Sequence, residues 1–432
     1  METSLETSGQ RRILLFLSLA VAALLIFQAS KIWLADHRLD SEAVATAERG
    51  AALIPGDGSA WDRLGRLRQW DFLNSDLPGA IDDYQKALRD NPRSAHFWMD
   101  LASAYEASGD DGRARQAYQR AESVYPASAE VAFHFGNFLL REQEYPAAYA
   151  ELRRAVHGDP SLLPLAISRA WRSSEDVDQL LNDLLPADTE AYLQALDFFA
   201  SIHKAEPGLK VWQRLVALGK PFPLDRVSSF FEELINVDRA DEARQAWRQA
   251  LAAAGLPHDE PRNQNLVWDG GFARDFTNAG LDWRWTPLSN AEMSVDPEPA
   301  PNGSRAIRID FNGGSNLPVL SPAQFVPVEP SRRYHFHAYM RTEGITTESG
   351  MRFNITDPNH EGALSLQSDN FTGSHPWTPA EADFETGPST HFILVQLFRA
   401  PSRLFENKIE GTVWIADVAV TPLSGSNRPS SP

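Results

Sequence analysis

The hydrophobic and polar positions follow three different patterns along the 432-residue chain. An uncharged apolar run occupies residues 13–27, a repeat of small and aromatic positions follows, and an alternation of polar and apolar residues replaces it after residue 256. A period near 3.6 residues is typical of helices, and a period of two is typical of strands. The pattern therefore predicts an N-terminal apolar helix, a helical repeat domain and a C-terminal β domain.

The apolar run is long enough to cross a bilayer. Extended to Leu34, it would form a helix of about 33 Å at about 1.5 Å per residue. Arg11 and Arg12 precede it, so the positive-inside rule predicts a cytoplasmic N-terminus over residues 1–10, a transmembrane helix over 11–34 and the remainder outside. A cleaved signal peptide is the alternative, although no convincing small-residue cleavage site follows the run.

Four sets of equivalent positions recur every 34 residues in the middle of the chain. They are Ala80, Ala114 and Ala148; Tyr84, Tyr118 and Leu152; Ala87, Ala121 and Ala155; and Pro92, Pro126 and Pro160. On a helix, the alanines and the aromatic residue four positions away share one face, so a neighbouring helix can approach closely. Proline cannot continue a helix, so it ends each unit. The spacing predicts units of two antiparallel helices.

This repeat resembles the tetratricopeptide repeat, whose length is also 34 residues. Trp98, Leu101, Ala102 and Tyr105 match its W-x2-L-G-x2-Y pattern, with alanine at the glycine position. The resemblance implies an all-α solenoid over residues 35–258 that contains about six helical hairpins, of which the middle ones are degenerate.

The resemblance also implies a binding groove, because the first helix of each tetratricopeptide unit usually lines a surface that holds a peptide or protein segment. The candidate groove residues are Arg66, Met99, Phe133, Asn137 and Arg141, beside Asp62, Ser103, Glu106 and Leu140. Asn137 and Arg141 carry groups that can clamp a carboxylate. A solvated helix surface is the alternative interpretation.

The C-terminal region, residues 259–425, alternates with the period of a strand and is interrupted by Pro, Gly and Asn. The clearest strands are predicted at 304–311, 334–341, 352–356, 392–399 and 412–420. About eight strands without helices favour an all-β sandwich or jelly roll, followed by a disordered tail over residues 426–432.

Several segments of this region resemble carbohydrate-binding modules with the galactose-binding-like jelly roll. They are residues 265–272 (NLVWDGGF), Trp283 with Trp285, residues 304–309 (SRAIRI), residues 328–334 (VEPSRRY), Trp377 with Phe384, and residues 411–418 (GTVWIADV). The resemblance implies a jelly-roll sandwich that binds glycan. That family often holds a structural calcium ion near the last strand, where this chain has Ala416 and Asp417. Asp417 alone leaves a calcium site doubtful on ligand count, and no other cofactor is predicted.

Strand alternation places a set of planar polar and aromatic side chains on what we expect to be one sheet face. The set is His335, His337, Tyr339, Arg352, Asn354, Gln396 and Phe398. Such groups suit the hydroxyls and apolar faces of sugars, although a solvated sheet face is an equal alternative. His335 and His337 could also bind a metal ion, but the sequence shows no third ligand.

No motif of a known catalytic site is visible in the sequence, so we expect a protein that is not an enzyme. Glycoside hydrolysis needs two positioned carboxylates, and the candidates Glu361, Asp369, Glu381 and Asp383 are expected in loops. The net charge of −18 argues against nucleic acid as a partner. The absence of cysteine excludes disulfides and thiolate chemistry.

These features together predict a scaffold anchored by a single span in a bacterial inner membrane, with its bulk in the periplasm. The repeats would bind a protein partner and the sandwich a glycan. Cell-envelope or exopolysaccharide assembly or export is the setting suggested by fold-level analogy. A pure protein-assembly factor without sugar binding is the first alternative, and a glycan-modifying enzyme is the second.

Overall fold

The computed structural model describes residues 8–71, 75–257, 264–296 and 298–423. The predicted tail at 426–432 and most of the predicted cytoplasmic segment at 1–10 lie outside these ranges. The chain forms two compact units, Met1–Leu185 and Pro186–Pro432. This division falls inside the helical region predicted at 35–258, so the last four helices belong to the same unit as the strands.

Helix α1 (Ser8–Leu39) opens the first unit, and its apolar side chains are exposed through most of its length. Within the described ranges it is the one helix long and apolar enough to cross a membrane, over Arg11–Leu39. Its last turns differ, because Ala35 and Leu39 are buried. They pack against α2 (Val44–Leu53), where a Cβ on Gly50 would lie 2.8 Å from the carbonyl oxygen of Ala35. One continuous helix therefore joins the predicted span to the first packed layer.

Three helical pairs follow. They are α3 (Gly58–Trp70) with α4 (Leu77–Asp90), α5 (Ala95–Ala107) with α6 (Asp111–Val124), and α7 (Ala129–Arg141) with α8 (Tyr145–Gly158). Side chains at the N-caps explain where these helices begin, since Asp57, Ser94 and Ser128 each accept a hydrogen bond from a backbone amide of the first turn. The six repeated alanines are fully buried between the paired helices, as the spacing predicts.

The end of the first unit is less regular. Helix α9 (Leu163–Ser174) is followed by the short α10 (Val177–Gln179), which continues into a π-helical turn at Leu180–Leu184. This agrees with the prediction of a degenerate hairpin after Pro160.

The second unit begins with four helices, α11 (Thr189–Ser201), α12 (Ala205–Ala217), α13 (Ser228–Asn236) and α14 (Ala240–Ala253). Aromatic rings hold them together. The Trp212 ring stacks on Phe230 at 5.1 Å, and Phe231 meets Trp247 edge to face at 5.5 Å.

Nine strands follow in the described part of this unit. They are β1 (Ala291–Asp296), β2 (Ala306–Asn312), β3 (Ala323–Pro327), β4 (Arg333–Ile345), β5 (Arg352–Thr356), β6 (Ser365–Gln367), β7 (Gly373–Glu385), β8 (Phe392–Phe398) and β9 (Glu410–Pro422). A five-stranded antiparallel sheet has the order β1-β2-β9-β4-β7, and a four-stranded sheet has the order β3-β8-β5-β6. Apolar residues of both sheets, such as Phe336, Phe353 and Val395, form one buried cluster between them.

The helices of this unit contact the strands directly. The ring of Trp247 on α14 packs directly against Gly280, where an added Cβ would lie only 2.3 Å from the ring. The Trp247 ring also meets Trp268 edge to face. Asn359 donates hydrogen bonds to the Ile235 carbonyl and to Asp238 at 2.6 and 2.7 Å. The strands therefore fold together with α13 and α14 rather than as a separate module.

The sheet order corrects one prediction. His335, His337 and Tyr339 lie on β4 in the five-stranded sheet, whereas the other members of the expected glycan face lie on β5 and β8 in the four-stranded sheet. These other members are Arg352, Asn354, Gln396 and Phe398. Alternation along a strand shows which residues share a side of that strand. It does not show which other strands will pair with that strand.

Candidate binding surfaces

The first candidate surface is formed by α3, α5 and α7, the first helices of the three regular pairs, and is called the first-helix face. Side chains on this face link one helix to the next. Arg66 on α3 is 46% exposed, and its Nη2 lies 3.1 Å from Asp62 Oδ2 on the same helix. Its Nε lies 3.8 Å from Asp100 Oδ2 on α5, where His96 is also close to the guanidinium. Arg66 therefore stands at the centre of an acidic cluster.

Asp62 has an unusual environment in this cluster. Its side chain is almost completely buried, and its Oδ1 has no hydrogen-bond partner among the described residues. Burial, followed by the neighbouring Asp100, raises the pKa of Asp62 to about 8. The carboxyl group is therefore protonated over much of the neutral range despite its contact with Arg66.

The remaining predicted groove residues divide into accessible and inaccessible groups. Met99 is buried, and Phe133 and Asn137 are half-buried. Arg141 is 55% exposed and forms an ion pair with Glu106 on α5. The predicted carboxylate clamp of Asn137 and Arg141 thus already has an internal carboxylate at its arginine.

The sequence did not single out His96 and Asp100, although it placed Asp62 and Glu106 in the groove. The signal that could have found them is positional. His96 and Asp100 lie four residues apart on α5, as Asp62 and Arg66 do on α3. Residues four apart on one helix share a face of that helix, so each pair can be presented together to the neighbouring first helix.

The outer face of the five-stranded sheet is the second candidate surface. His335 and His337 lie directly opposite Asp383 and Glu381 on β7. The Nδ1 atom of His335 lies 2.8 Å from Asp383 Oδ1, and that of His337 lies 3.1 Å from Glu381 Oε1. The two carboxylates were expected in loops, but the long strand β7 carries both and turns them towards β4.

Tyr339 and Asp417 complete this face. Tyr339 meets His337 edge to face at 4.8 Å and packs beside Trp414. Asp417 occupies the irregularity in the pairing of β4 with β9, at a φ of 52°. Its Oδ2 lies 3.8 Å from His337 Nε2. The residue predicted as a calcium ligand thus faces an imidazole.

The four-stranded sheet holds the other predicted glycan residues. Arg352 lies opposite Phe398, and Asn354 lies opposite Gln396. Asn354 and Gln396 are each only 8% exposed. Arg352 donates hydrogen bonds to Gln367 and Asn370 at 3.2 and 2.9 Å. Two of these four residues are therefore largely inaccessible to a ligand.

A cavity of about 410 Å³ in the second unit forms a third candidate surface. It lies between α14 and the strands, and its aromatic lining is Trp247, Trp268, Phe325 and Tyr334. Arg244, Gln264 and Asn265 add polar groups to the wall. Trp247 is buried, and its Nε1 finds no acceptor within the described part of the chain. Sequence reasoning missed this cavity because its walls come from separate helical, loop and strand segments.

Comparison with known proteins identifies the repeats. A family model for the tetratricopeptide repeat matches residues 74–129. The mRNA 3'-end-processing protein rna-14 of Neurospora crassa is 23% identical over 253 residues, which are 57% of this chain. The chain covers only 20% of the length of that protein.

Two solved structures are similar to parts of the chain. The crystal structure of YrrB, described as a TPR protein with an unusual peptide-binding site, is 16% identical, with a TM-score of 0.25, over 40% of this chain and 75% of its own. The crystal structure of MamA protein is 17% identical, with a TM-score of 0.24, over 46% of this chain and 92% of its own. On the family match at residues 74–129, the helical N-terminal half of the chain contains tetratricopeptide repeats.

Proposed function

We propose that this chain is a protein-binding scaffold rather than an enzyme, and that the first-helix face of α3, α5 and α7 holds a segment of its partner. The observation that carries this proposal is the row of half-exposed side chains that crosses the repeats. Arg66 of α3 and Arg141 of α7 each form an ion pair with a carboxylate on α5, while the half-buried Phe133 of α7 offers an apolar contact. A protein segment lying on this row can exchange its own carboxylates or amides for the internal ones.

Site-specific photo-crosslinking in the native cell tests this function. A photoreactive phenylalanine analogue at Phe133 should capture a discrete partner, whereas the same group at the exposed Gln119 on α6 serves as the control. The identified partner, once purified, should bind the full chain and lose at least tenfold in affinity when both Arg66 and Arg141 are replaced by alanine, because the loss of two half-exposed ion pairs with the partner should cost roughly 1.4 kcal/mol or more. Equal crosslinking from both positions would contradict the proposal.

We further propose that α1 anchors the scaffold in a bacterial inner membrane, with the N-terminus in the cytoplasm and the chain after the span in the periplasm. The support is the exposure of its apolar side chains, such as Phe16 at 74% and Ile26 at 67%, and the two arginines that precede the run. Because the chain has no cysteine, single cysteines report topology cleanly. A membrane-impermeant maleimide should label Gln119→Cys in spheroplasts but not Ser4→Cys, and the reverse pattern would overturn the orientation.

A glycan is the second ligand that we propose, with the cavity beside α14 as its site. The support is the combination of Trp268 and Tyr334 with planar polar groups and with the unsatisfied Nε1 of Trp247. Aromatic faces and convergent polar groups are what a sugar ring requires. Assembly or export of an envelope polysaccharide would provide such a ligand.

A glycan array probed with the detergent-solubilised full chain tests this second function. Binding to a defined group of oligosaccharides should disappear in Trp268→Ala and persist in Trp70→Ala, whose side chain is 71% exposed in the other unit. A chain that binds no glycan would leave the protein-assembly alternative, and hydrolysis of an arrayed glycan would instead support the enzyme alternative.

A further inference from the structure

The outer face of the five-stranded sheet brings together more potential metal ligands than the sequence suggested. Two histidines lie two residues apart on β4, so they project from the same side of the strand. The neighbouring strand β7 places Glu381 opposite His337 and Asp383 opposite His335. The adjacent strand therefore supplies the third ligand that the sequence pattern could not identify.

The distances suit a single ion. One ligand atom from each of His335, His337 and Glu381 can be chosen so that all three lie within 4.8 Å of one another. Two ligands of a tetrahedral zinc ion, each about 2.0–2.1 Å from the metal, are about 3.3 Å apart. The 3.1 Å between His337 Nδ1 and Glu381 Oε1 is already close to that separation. His335 offers the third ligand atom, within 4.8 Å of the other two.

The remaining carboxylates lie where they can orient the imidazoles. If His337 binds an ion through Nδ1, its Nε2–H faces Asp417 Oδ2 at 3.8 Å. His335 is held through Nδ1 by Asp383 at 2.8 Å, which leaves Nε2 for the ion. In metal sites, a histidine ligand usually donates a hydrogen bond from its other ring N–H to a carboxylate. The irregular pairing at Asp417 aims this side chain towards β4.

We propose that His335, His337 and Glu381 bind a divalent transition-metal ion of the zinc type, with Asp383 and Asp417 as positioning residues. Two imidazoles with one carboxylate favour zinc, copper or nickel over calcium, which prefers six to eight oxygen ligands. Asp417 thus serves a nitrogen-rich site rather than the calcium site suggested by its position in the last strand. The site is independent of the proposed partner-binding face, since it lies in the other compact unit.

The competing group of ligand atoms lies in the first unit. Asp62, His96 and Asp100 also have atoms within 4.8 Å of one another. There, however, the guanidinium of Arg66 lies against both carboxylates. A cation would have to displace it, so this cluster provides the matched control for the sheet site.

Isothermal titration of the full chain in detergent, with any affinity tag removed and after treatment with EDTA, tests the proposal with Zn²⁺ as the probe. We expect one zinc ion per chain and no competition from a large excess of Ca²⁺. His335→Gln, His337→Gln and Glu381→Gln should each weaken binding by about tenfold or more. His96→Gln and Glu385→Gln, the latter an exposed carboxylate on the same strand β7, should leave the affinity unchanged.

Two additional measurements keep the test decisive. Circular dichroism of each metal-free variant shows whether it is folded. In the unaltered chain, bound Co²⁺ should give the visible absorption bands of a four-coordinate site, so this measurement does not depend on any variant folding. Asp417→Asn should weaken zinc binding without changing the melting temperature of the metal-free chain, a separation that a purely structural role would not produce. The proposal is overturned if the unaltered chain shows no saturable zinc binding, or if His96→Gln removes it while His337→Gln does not.

Discussion

At the scale of single residues, the burial of Asp62 has the clearest consequence for stability. The carboxyl faces Arg66, Asp100, His96 and Tyr84, of which only Arg66 is permanently cationic. Its pKa of about 8 in the folded chain lies above the ordinary value of 3.8. Between these values the folded state keeps a proton that the unfolded state has released, so the free energy of unfolding falls as the pH rises through this window.

We therefore expect the stability difference between the unaltered chain and Asp62→Asn to depend on pH. The unaltered chain should lose up to about 1.4 kcal/mol per pH unit relative to the variant between about pH 4 and 8, because the asparagine cannot titrate. Urea unfolding at pH 5, 6.5 and 8 measures this difference. The exposed Glu130→Gln is the control, and parallel pH profiles for Asp62→Asn and the unaltered chain would show that Asp62 is ionised throughout.

At the scale of elements, close helix contacts explain the small residues of the repeat. A Cβ on Gly65 of α3 would lie 2.8 Å from the Tyr84 ring, which is fully buried and donates a hydrogen bond to Gln69. A Cβ on the equivalent Gly136 of α7 would lie 2.9 Å from the Leu152 side chain. The small positions of the sequence pattern therefore mark points where two helices touch.

A pair of glycine substitutions separates this packing from helix propensity. Gly65→Ala should destabilise the chain by about 1–3 kcal/mol, since the Tyr84 ring is fixed by its surroundings and overpacking outweighs the propensity gain. Gly112→Ala on α6 meets only Asp110 Oδ1 at 3.8 Å and should stabilise by up to about 1 kcal/mol. Calorimetric melting temperatures of both variants give the comparison, and a stabilising Gly65→Ala would contradict the close approach.

The pairing of the strands also shows what residue alternation cannot predict. Alternation correctly placed His335 and His337 on one side of β4, and Ile393, Val395 and Leu397 on the buried side of β8. Pattern alone could not show that β4 lies between β7 and β9, while β5 and β8 pair in the other sheet. Hydrogen bonding between strands depends on residues far apart in the chain, which no local period records.

At the scale of the whole molecule, the change from helical to strand-like pattern after residue 256 does not separate the compact units. Helices α13 and α14 fold with the strands because Trp247 packs against the loop at Gly280 and Asn359 bonds to the end of α13. A boundary drawn from the secondary structure would cut through these contacts.

This organisation predicts how fragments behave. The fragment of residues 186–425 should fold and melt cooperatively, whereas residues 259–425 should melt at a lower temperature because the contacts with α13 and α14 are lost. Trp247→Ala within the longer fragment should remove about 3 kcal/mol or more, as expected for a large buried aromatic side chain. Differential scanning calorimetry provides the measurement, and equal melting temperatures for the two fragments would show that the strands form an independent domain.

Local patterns in the sequence were sufficient to predict the helical repeats, the apolar N-terminal helix and most of the strands, since each depends on a local period that side-chain burial imposes. They also identified His335, His337, Tyr339 and Asp417 as residues of interest. Which of these residues meet depends on the three-dimensional fold, because the order of strands brings Glu381, Asp383 and Asp417 to the two histidines from both neighbouring strands. The fold likewise decided the compact units and the cavity beside α14, because these depend on contacts between segments that the chain folds together from a distance.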